Sequence, residues 1–98
     1  MPEDAVAVAP HVYKVLAEND RVRVLESRMK PGDKTAMHGH SQVIVVALTH
    51  AKVRFTSPGG DTAELEIPAG AAAIEEETEH TTENIGDSEV RVILVELK

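Results

Sequence analysis

The clearest pattern of apolar and polar positions lies in residues 52–67, where two alternating stretches flank a turn. Apolar and polar residues alternate in residues 52–56 and 62–67, and the sequence SPGGD between them is rich in turn-forming residues. Strict alternation is typical of a β-strand with one buried face, so a β-hairpin is predicted here. Its inward set is Val53, Phe55, Ala63, Leu65 and Ile67, while Lys52 and Arg54 face Glu64 and Glu66 across the outer face.

Short strands are predicted along the rest of the chain as well. They are expected at residues 11–16, 21–29, 43–48 and 89–97, with turn signals between them. Residues 43–48 are apolar on both faces and rich in β-branched residues, which indicates an interior strand. With about eight or nine short strands and no convincing amphipathic helix, the sequence predicts an all-β fold, a barrel or sandwich of antiparallel strands.

One segment has a mixed signal. Residues 71–84 contain the Ala and Glu residues that favour a helix, and His80 and Asn84 stand four positions apart, at helical spacing. The threonines at 78, 81 and 82 argue for a strand instead, because β-branched side chains are restricted in helices. The acidic run at residues 75–77 is expected to be a solvated turn.

The length of 98 residues allows one modest hydrophobic core. We therefore expect a single domain over residues 11–98, preceded by an N-terminal arm over residues 1–10. The longest aliphatic run, residues 43–48, is far below the roughly 20 apolar residues that a membrane-spanning helix requires. Glu3 and Asp4 stand where a signal peptide would carry Lys or Arg.

Composition excludes several classes of function. Seventeen acidic residues against ten basic ones give a formal charge of −7, and the chain has one Tyr, one Phe and no Trp. A nucleic-acid-binding protein needs basic surface and, for single strands, aromatic platforms, so that class is excluded. No cysteine is present, which excludes disulfides, thiolate metal ligands and a cysteine nucleophile. A cytoplasmic location is expected, because a secreted domain of this size usually needs disulfides.

The candidate chemistry is concentrated in residues 37–42, Met-His-Gly-His-Ser-Gln. In an extended strand, His38, His40 and Gln42 share one face. A histidine pair of this kind also occurs on an exposed polar strand edge or in a loop, without any shared role. A third histidine, His80, followed by Asn84, supplies a further candidate elsewhere in the sequence.

Together these residues resemble the motifs of the cupin family. The first cupin motif is a Gly, five residues and His-x-His, which Gly32, His38 and His40 match. Gly70, His80 and Asn84 resemble members of the second motif. The match is incomplete, because residues 43–45 are apolar where the family has a glutamate ligand, and glutamates replace the Pro and Gly of the second motif.

The resemblance implies a small single-domain cupin of the RmlC-like superfamily, folded as an antiparallel double-stranded β-helix or jelly-roll barrel. It further implies a divalent metal ion, zinc, nickel, iron or manganese, held by His38, His40 and His80. Gln42 shares the strand face of His38 and His40, so it is the candidate to border or fill the position where the family has its glutamate ligand. Asn84 is expected either to form a turn or to orient a metal-ligating side chain without binding the metal itself.

Two functional classes follow from this resemblance. The first is a metal-dependent enzyme acting on a small organic molecule, of the oxygenase, lyase or isomerase type. The second is a non-catalytic ligand-binding or structural cupin, with or without metal. The resemblance also implies a homodimer, since cupins commonly pair through sheet edges and terminal strands, and the apolar segments at residues 5–9 and 93–97 could cover such an edge.

Overall fold

The computed structural model describes residues 4–98, which form nine β-strands and one short helix. The helix α1 spans Ala5–Val8. The strands are β1 Tyr13–Glu18, β2 Val22–Met29, β3 His38–His40, β4 Val43–Ala47, β5 Ala51–Thr56, β6 Thr62–Ile67, β7 Ala72–Glu75, β8 Thr78–Asn84 and β9 Val90–Leu97. The first sheet has the order β1-β2-β9-β4-β7 and the second the order β3-β8-β5-β6. Every strand pairing is antiparallel, which confirms the all-β prediction.

The hydrophobic core is built by both sheets. Val90, Val92 and Leu94 alternate along β9, with the intervening residues less buried, so one face of this strand packs inward. Leu25 and Met29 of β2 join them from the same sheet, whereas Ala51 and Val53 belong to β5 of the other sheet. As predicted, β4 is an interior strand, between β9 and β7.

The β5–β6 hairpin has the predicted register, but its inward set was partly wrong. Val53 pairs with Leu65, and Arg54 pairs with Glu64, whose carboxylate Oε2 accepts a 2.8 Å hydrogen bond from the Arg54 Nη2. Ala63 and Leu65 are nevertheless exposed. Since β6 is the edge strand of the four-stranded sheet, nothing in the described chain covers its face, and Ile67 at its end is the β6 residue that packs against the core.

The segment before β1 packs on the domain. Ala5 and Ala9 are completely buried in the core, and the carboxylate of Asp4 accepts a hydrogen bond from the Ala7 amide as the N-cap of α1. Residues 5–9 and 93–97 were expected to cover a sheet edge of a partner. Ala5 and Ala9 pack instead into the core of their own chain, and residues 93–97 lie in β9, between β2 and β4. The homodimer itself stays a prediction. Among residues 4–98, no helix is long and apolar enough to cross a membrane.

Two turns use the glycines of the cupin-like motifs. Gly32 and Gly70 have φ angles of 86° and 85°, in the left-handed region that other residues adopt only with strain. Gly32 lies in the turn after β2, where the Lys30 carbonyl accepts a hydrogen bond from the Asp33 amide. These turns end two strands sharply and direct the chain across the domain.

The chain crosses from one sheet to the other immediately after the His-x-His pair. The strand β3 belongs to the four-stranded sheet and β4 to the five-stranded sheet, with a bend at Ser41 and Gln42 between them. The inward positions are His38 and His40 before the bend and Val43 after it, so the two-residue alternation is interrupted. This interruption decides where Gln42 points.

Candidate metal centre

Three histidines meet in the interior of the domain. His38 lies directly opposite His80 in the β3–β8 ladder, and His40 is two residues along β3. One ring nitrogen from each residue can be chosen so that all three lie within 4.8 Å of one another, and the side chains are 0%, 6% and 8% exposed for His38, His40 and His80. The four-stranded sheet therefore supplies all three imidazoles.

The ring of His40 is oriented from the other sheet. Its Nδ1 donates a 2.8 Å hydrogen bond to Glu96 on β9, and the second Glu96 oxygen accepts a 2.7 Å bond from the Nε of Arg23. Arg23 also contacts Asp4 at 2.6 Å. Burial alone would raise the pKa of the Glu96 carboxyl, but the bonds from His40 and Arg23 hold it below its ordinary value. In the neutral ring this bond leaves the His40 Nε2 without a hydrogen.

The ring of His38 has a partner on each nitrogen. The Ala36 carbonyl lies 2.9 Å from Nδ1, and because a carbonyl can only accept, Nδ1 carries the hydrogen. The Tyr13 hydroxyl lies 3.1 Å from Nε2 and must therefore be the donor. Burial raises the pKa of Tyr13 well above its ordinary range, so the phenol keeps its proton. Burial also lowers the pKa of His38.

The ring of His80 is stacked on Phe55, with ring centres 4.7 Å apart and planes inclined by 22°. Burial, with repulsion from the two other imidazoles, lowers the pKa of His80 to about 3. His80 is therefore neutral at physiological pH. Neutral imidazoles are the form that binds a metal.

Acidification should destabilise the metal-free protein. As the pH falls from 6.5, the ordinary pKa of histidine, to about 5, the unfolded chain binds a proton at His80. The folded chain does not bind this proton, because the pKa of His80 is about 3 there. The free energy of unfolding should therefore fall with pH, by up to about 1.4 kcal/mol per pH unit for this proton. The lowered pKa of His38 acts in the same direction.

Urea unfolding of the chelator-treated protein across this pH range measures the effect. In His80→Gln, the slope of the free energy of unfolding against pH should decrease by the contribution of about one proton. His50→Gln should keep the wild-type slope, because His50 is exposed and outside the cluster. Equal slopes in His80→Gln and the wild type would contradict the assignment.

A cavity of about 60 Å³ adjoins the histidines. His40 and His80 form part of its wall, and most of the remainder is apolar, including Val43, Val53 and Leu94. Its polar wall residues include Tyr13, Ser27, Glu75 and Thr82. Glu75 was expected in a solvated turn, but it ends β7 and lines both this cavity and the outer surface beside Phe55 and His80. The carboxylate therefore stands at the edge of the cavity.

Gln42 does not join the histidines. Its amide nitrogen donates a 3.1 Å hydrogen bond to Glu76, in an exposed position, and Gln42 is not part of the cavity wall. The predicted alternation placed it on the face of His38 and His40, but the bend at Ser41 and Gln42 turns the chain before that alternation reaches it. The inward position passes to Val43.

Asn84 lies at the end of β8, on the buried face that also carries His80. Its amide nitrogen donates to the carbonyls of Met29 and Ser88, each at 3.0 Å, and its oxygen accepts a 2.9 Å bond from the Gly86 amide. These bonds hold the turn after β8 against the end of β2. Of its two expected roles, the contacts correspond to the turn.

Replacing Asn84 by alanine should strongly destabilise the fold, because Asn84 is 1% exposed and three backbone groups would lose their partner. We expect a loss of about 3 kcal/mol in the free energy of unfolding, measured in urea. Asn19→Ala is the matched control, since the Asn19 side chain also bonds to the backbone, by accepting two hydrogen bonds, but is exposed. It should cost less than about 1 kcal/mol, and similar losses in both variants would contradict the structural role of Asn84.

Sequence reasoning missed three residues around the histidines. Glu96 had a usable signal, because it continues the buried alternation of Val90, Val92 and Leu94 with a charged residue. Tyr13 had no motif around it, and Glu75 was hidden in an acidic run. The remaining histidines, His11 and His50, are exposed, and His50 pairs with Glu66 at 2.7 Å.

The histidine cluster fits a divalent metal ion. Two of its three rings direct an Nδ1 hydrogen to a fixed acceptor, Ala36 or Glu96, which leaves Nε2 as the ligand atom. The cluster consists of the three histidines alone, in agreement with the apolar residues where the family has its glutamate. Imidazole ligands suit zinc, iron and nickel.

Comparison with solved structures identifies the fold. A cupin domain from Bordetella pertussis Tohama I aligns over 100% of this chain and 97% of its own, with a TM-score of 0.81 and 28% identity. An RmlC-like cupin with a double-stranded β-helix fold from Methanocaldococcus jannaschii aligns over 88% of this chain and 78% of its own, with a TM-score of 0.69 and 14% identity.

An uncharacterised double-stranded β-helix protein from Klebsiella pneumoniae aligns over 86% of this chain and 73% of its own, with a TM-score of 0.68 and 20% identity. No protein-family model matches the sequence, and no curated protein matches it either. The two-sheet architecture, the motif glycines and these alignments agree with one another. The chain therefore has the double-stranded β-helix fold and is similar to a cupin domain over its whole length.

Proposed function

We propose that this cupin is a metal-dependent enzyme that acts on a small organic molecule in the cavity beside the histidines. His38, His40 and His80 hold one divalent ion, which is zinc, nickel, iron or manganese. The observation that carries the proposal is the convergence of three buried imidazoles, whose ring nitrogens lie within 4.8 Å of one another, two of them in the wall of a cavity.

The ligand set supports a catalytic rather than a structural role for the ion. Three protein ligands leave coordination positions for water or substrate, whereas structural sites are usually closed by four. Since all three ligands are neutral, the ion keeps its full positive charge and favours a substrate with a carboxylate, carbonyl or similar oxygen. When bound, the ion would supply Lewis acidity or, as iron, an open position for oxygen chemistry.

The cavity sets the size and character of the substrate. A water molecule needs roughly 10–15 Å³ on the same measure of volume, so about 60 Å³ holds a body of only a few non-hydrogen atoms. The apolar wall favours an aliphatic body, and the polar end of the substrate would face His40 and His80. A larger substrate would have to extend past Glu75 toward the surface.

Two side chains could move protons during the reaction. Glu75 lines the cavity and the surface beside it, where a carboxylate can exchange protons with solvent. Tyr13 lies deeper, with its protonated hydroxyl against His38. Glu75 is therefore our candidate for the general acid or base.

Metal analysis of protein purified without a histidine tag tests the proposal first. We expect one ion per chain after chelator-stripped protein is incubated with zinc, nickel, manganese or ferrous iron. Small aliphatic carboxylates and ketones should then raise the melting temperature of the metal-loaded protein but not of the metal-free protein. If the wild type binds none of the four metals, the enzyme proposal fails and the non-catalytic ligand-binding or structural role replaces it.

A further inference from the structure

The Tyr13 hydroxyl is hydrogen-bonded to Nε2 of His38, the nitrogen through which His38 would bind a metal. We propose that the Tyr13 hydroxyl is a switch, which donates to His38 Nε2 in the metal-free protein and turns to the Thr82 hydroxyl when a metal takes that nitrogen. The inference rests on the proposed metal site and concerns how the protein controls access to it. It assigns roles to two residues outside the histidine cluster.

The first step of the argument is the geometry at His38. Nδ1 donates to the Ala36 carbonyl at 2.9 Å, so the single lone pair available for a metal is on Nε2. The Tyr13 hydroxyl is 3.1 Å from that atom. One lone pair cannot accept a hydrogen bond and bind a metal together. Metal binding at His38 therefore requires Tyr13 to give up its bond.

The second step is the contrast among the three ligands. His40 has its hydrogen bond on Nδ1, where Glu96 orients the ring and leaves Nε2 open. The ring of His80 stacks on Phe55 and takes part in no hydrogen bond within residues 4–98. Only His38, among the three, has its metal-binding nitrogen already engaged. His38 is also completely buried and, unlike Tyr13, does not line the cavity.

The third step is an acceptor for the displaced hydroxyl. Thr82 is 7% exposed and lines the cavity, and its Oγ1 has no hydrogen-bond partner within the described chain. Burial raises the pKa of Tyr13 and the Thr82 hydroxyl opposes that rise, so the two hydroxyls are neighbours, although they do not have the geometry of a hydrogen bond. An unpartnered buried hydroxyl is costly, and a bond from Tyr13 would satisfy both groups once the metal is bound.

A different role for Tyr13 predicts the opposite result. If the phenol binds the ion itself, or donates to a water on the ion, removal of the hydroxyl weakens metal binding. If it competes with the metal, removal strengthens binding wherever Thr82 cannot accept the displaced hydroxyl, as in Thr82→Val. The sign of the change therefore separates the two roles.

Zinc titration of the chelator-stripped protein against a competing chelator tests the switch. Tyr13→Phe keeps the aromatic ring, which lies 5.2 Å from His38 and 5.7 Å from His40, and removes only the hydroxyl. Added to Thr82→Val, in which the displaced hydroxyl has no acceptor, it should make zinc binding about 2- to 10-fold tighter, the range that corresponds to one hydrogen bond. In the wild type the gain is smaller, because the bond to Thr82 replaces the one to His38. Thr82→Val should bind zinc more weakly by a similar factor, and should have no effect when added to Tyr13→Phe.

Thr81→Val is the matched control for Thr82→Val. The Thr81 hydroxyl is also buried and without a partner in the described residues, but Thr81 does not line the cavity. Its replacement should leave the zinc affinity unchanged. Unchanged or weaker binding when Tyr13→Phe is added to Thr82→Val overturns the switch, as does an equal effect of Thr82→Val with and without the Tyr13 hydroxyl.

Nitrogen NMR of the metal-free protein separates failure of the switch from failure of the metal site. The His38 Nε2 resonance should show an accepted hydrogen bond in the wild type and lose it in Tyr13→Phe, but keep it in Thr82→Val. The same spectra show whether each variant is folded. Wild type that binds no zinc refutes the metal site and with it the switch, whereas normal zinc binding with no change at His38 Nε2 in Tyr13→Phe refutes the switch alone.

Discussion

Replacing His38, His40 or His80 by alanine is expected to remove nearly all metal binding. Each of them contributes one of three imidazoles, all buried and all on β3 or β8, so the loss of any one removes a third of the protein ligands. The fall in affinity should exceed the roughly 10- to 100-fold effect of partners that merely support a ligand. Isothermal titration of the chelator-stripped variants with zinc and nickel measures it.

Two residues outside the histidine cluster serve as controls for the histidine variants. His50→Ala removes a histidine that pairs with Glu66 on the surface, and Gln42→Ala removes the residue that the sequence placed beside the histidines. Both should keep the metal affinity within about twofold. If His80→Ala keeps full stoichiometry and affinity while His38→Ala loses them, His80 is not a ligand and the second motif was assigned wrongly.

Replacing Glu96 by alanine should have the second largest effect, on stability and metal affinity together. The side chain is 5% exposed and joins His40 to Arg23 through hydrogen bonds of 2.8 and 2.7 Å. Its removal leaves the His40 Nδ1 hydrogen unpaired, and Arg23 retains Asp4 alone. We expect a loss of about 3–5 kcal/mol in the free energy of unfolding and about 10- to 100-fold in metal affinity.

Glu66→Ala is the matched control for Glu96→Ala. Glu66 also pairs with a histidine, His50, at 2.7 Å, but the two side chains are 63% and 54% exposed. An exposed pair contributes only about 0–1 kcal/mol, and this one is remote from the metal ligands. Urea unfolding and zinc titration of both variants provide the comparison. Equal effects would show that Glu96 has no special role in holding His40.

Much of the fold could be predicted because its signals are local. Alternation along the β5–β6 hairpin, turn residues between strands and the absence of a helical period are all properties of neighbouring residues. The one helix, Ala5–Val8, has a single turn, too short to show a period. The exposure of Leu65 was missed because it depends on β6 being an edge strand, which is a property of the whole sheet order.

The candidate site also contains residues that could be predicted from local sequence and residues that could not. The three histidines could be found because their spacing resembles known motifs, although the family glutamate is missing. Tyr13 and Glu96 lie on strands of the opposite sheet and reach the histidines only through the packing of the two sheets. Gln42 was misplaced because a bend between β3 and β4 interrupts an alternation that the sequence continues.

The strand β3 bears on how fast an ion could leave the proposed metal site. It is three residues long, lies at the edge of its sheet, and has β8 as its ladder partner, with one further bridge from Asp4 to Gly39 within the described chain. Short edge strands open at low free-energy cost. Two proposed ligands are on β3 and the third is directly across on β8, so a bound ion would fasten this edge as a non-covalent cross-link. Release of the ion would then be limited by fraying of β3, and its residence time would be set by the backbone pairing of three residues.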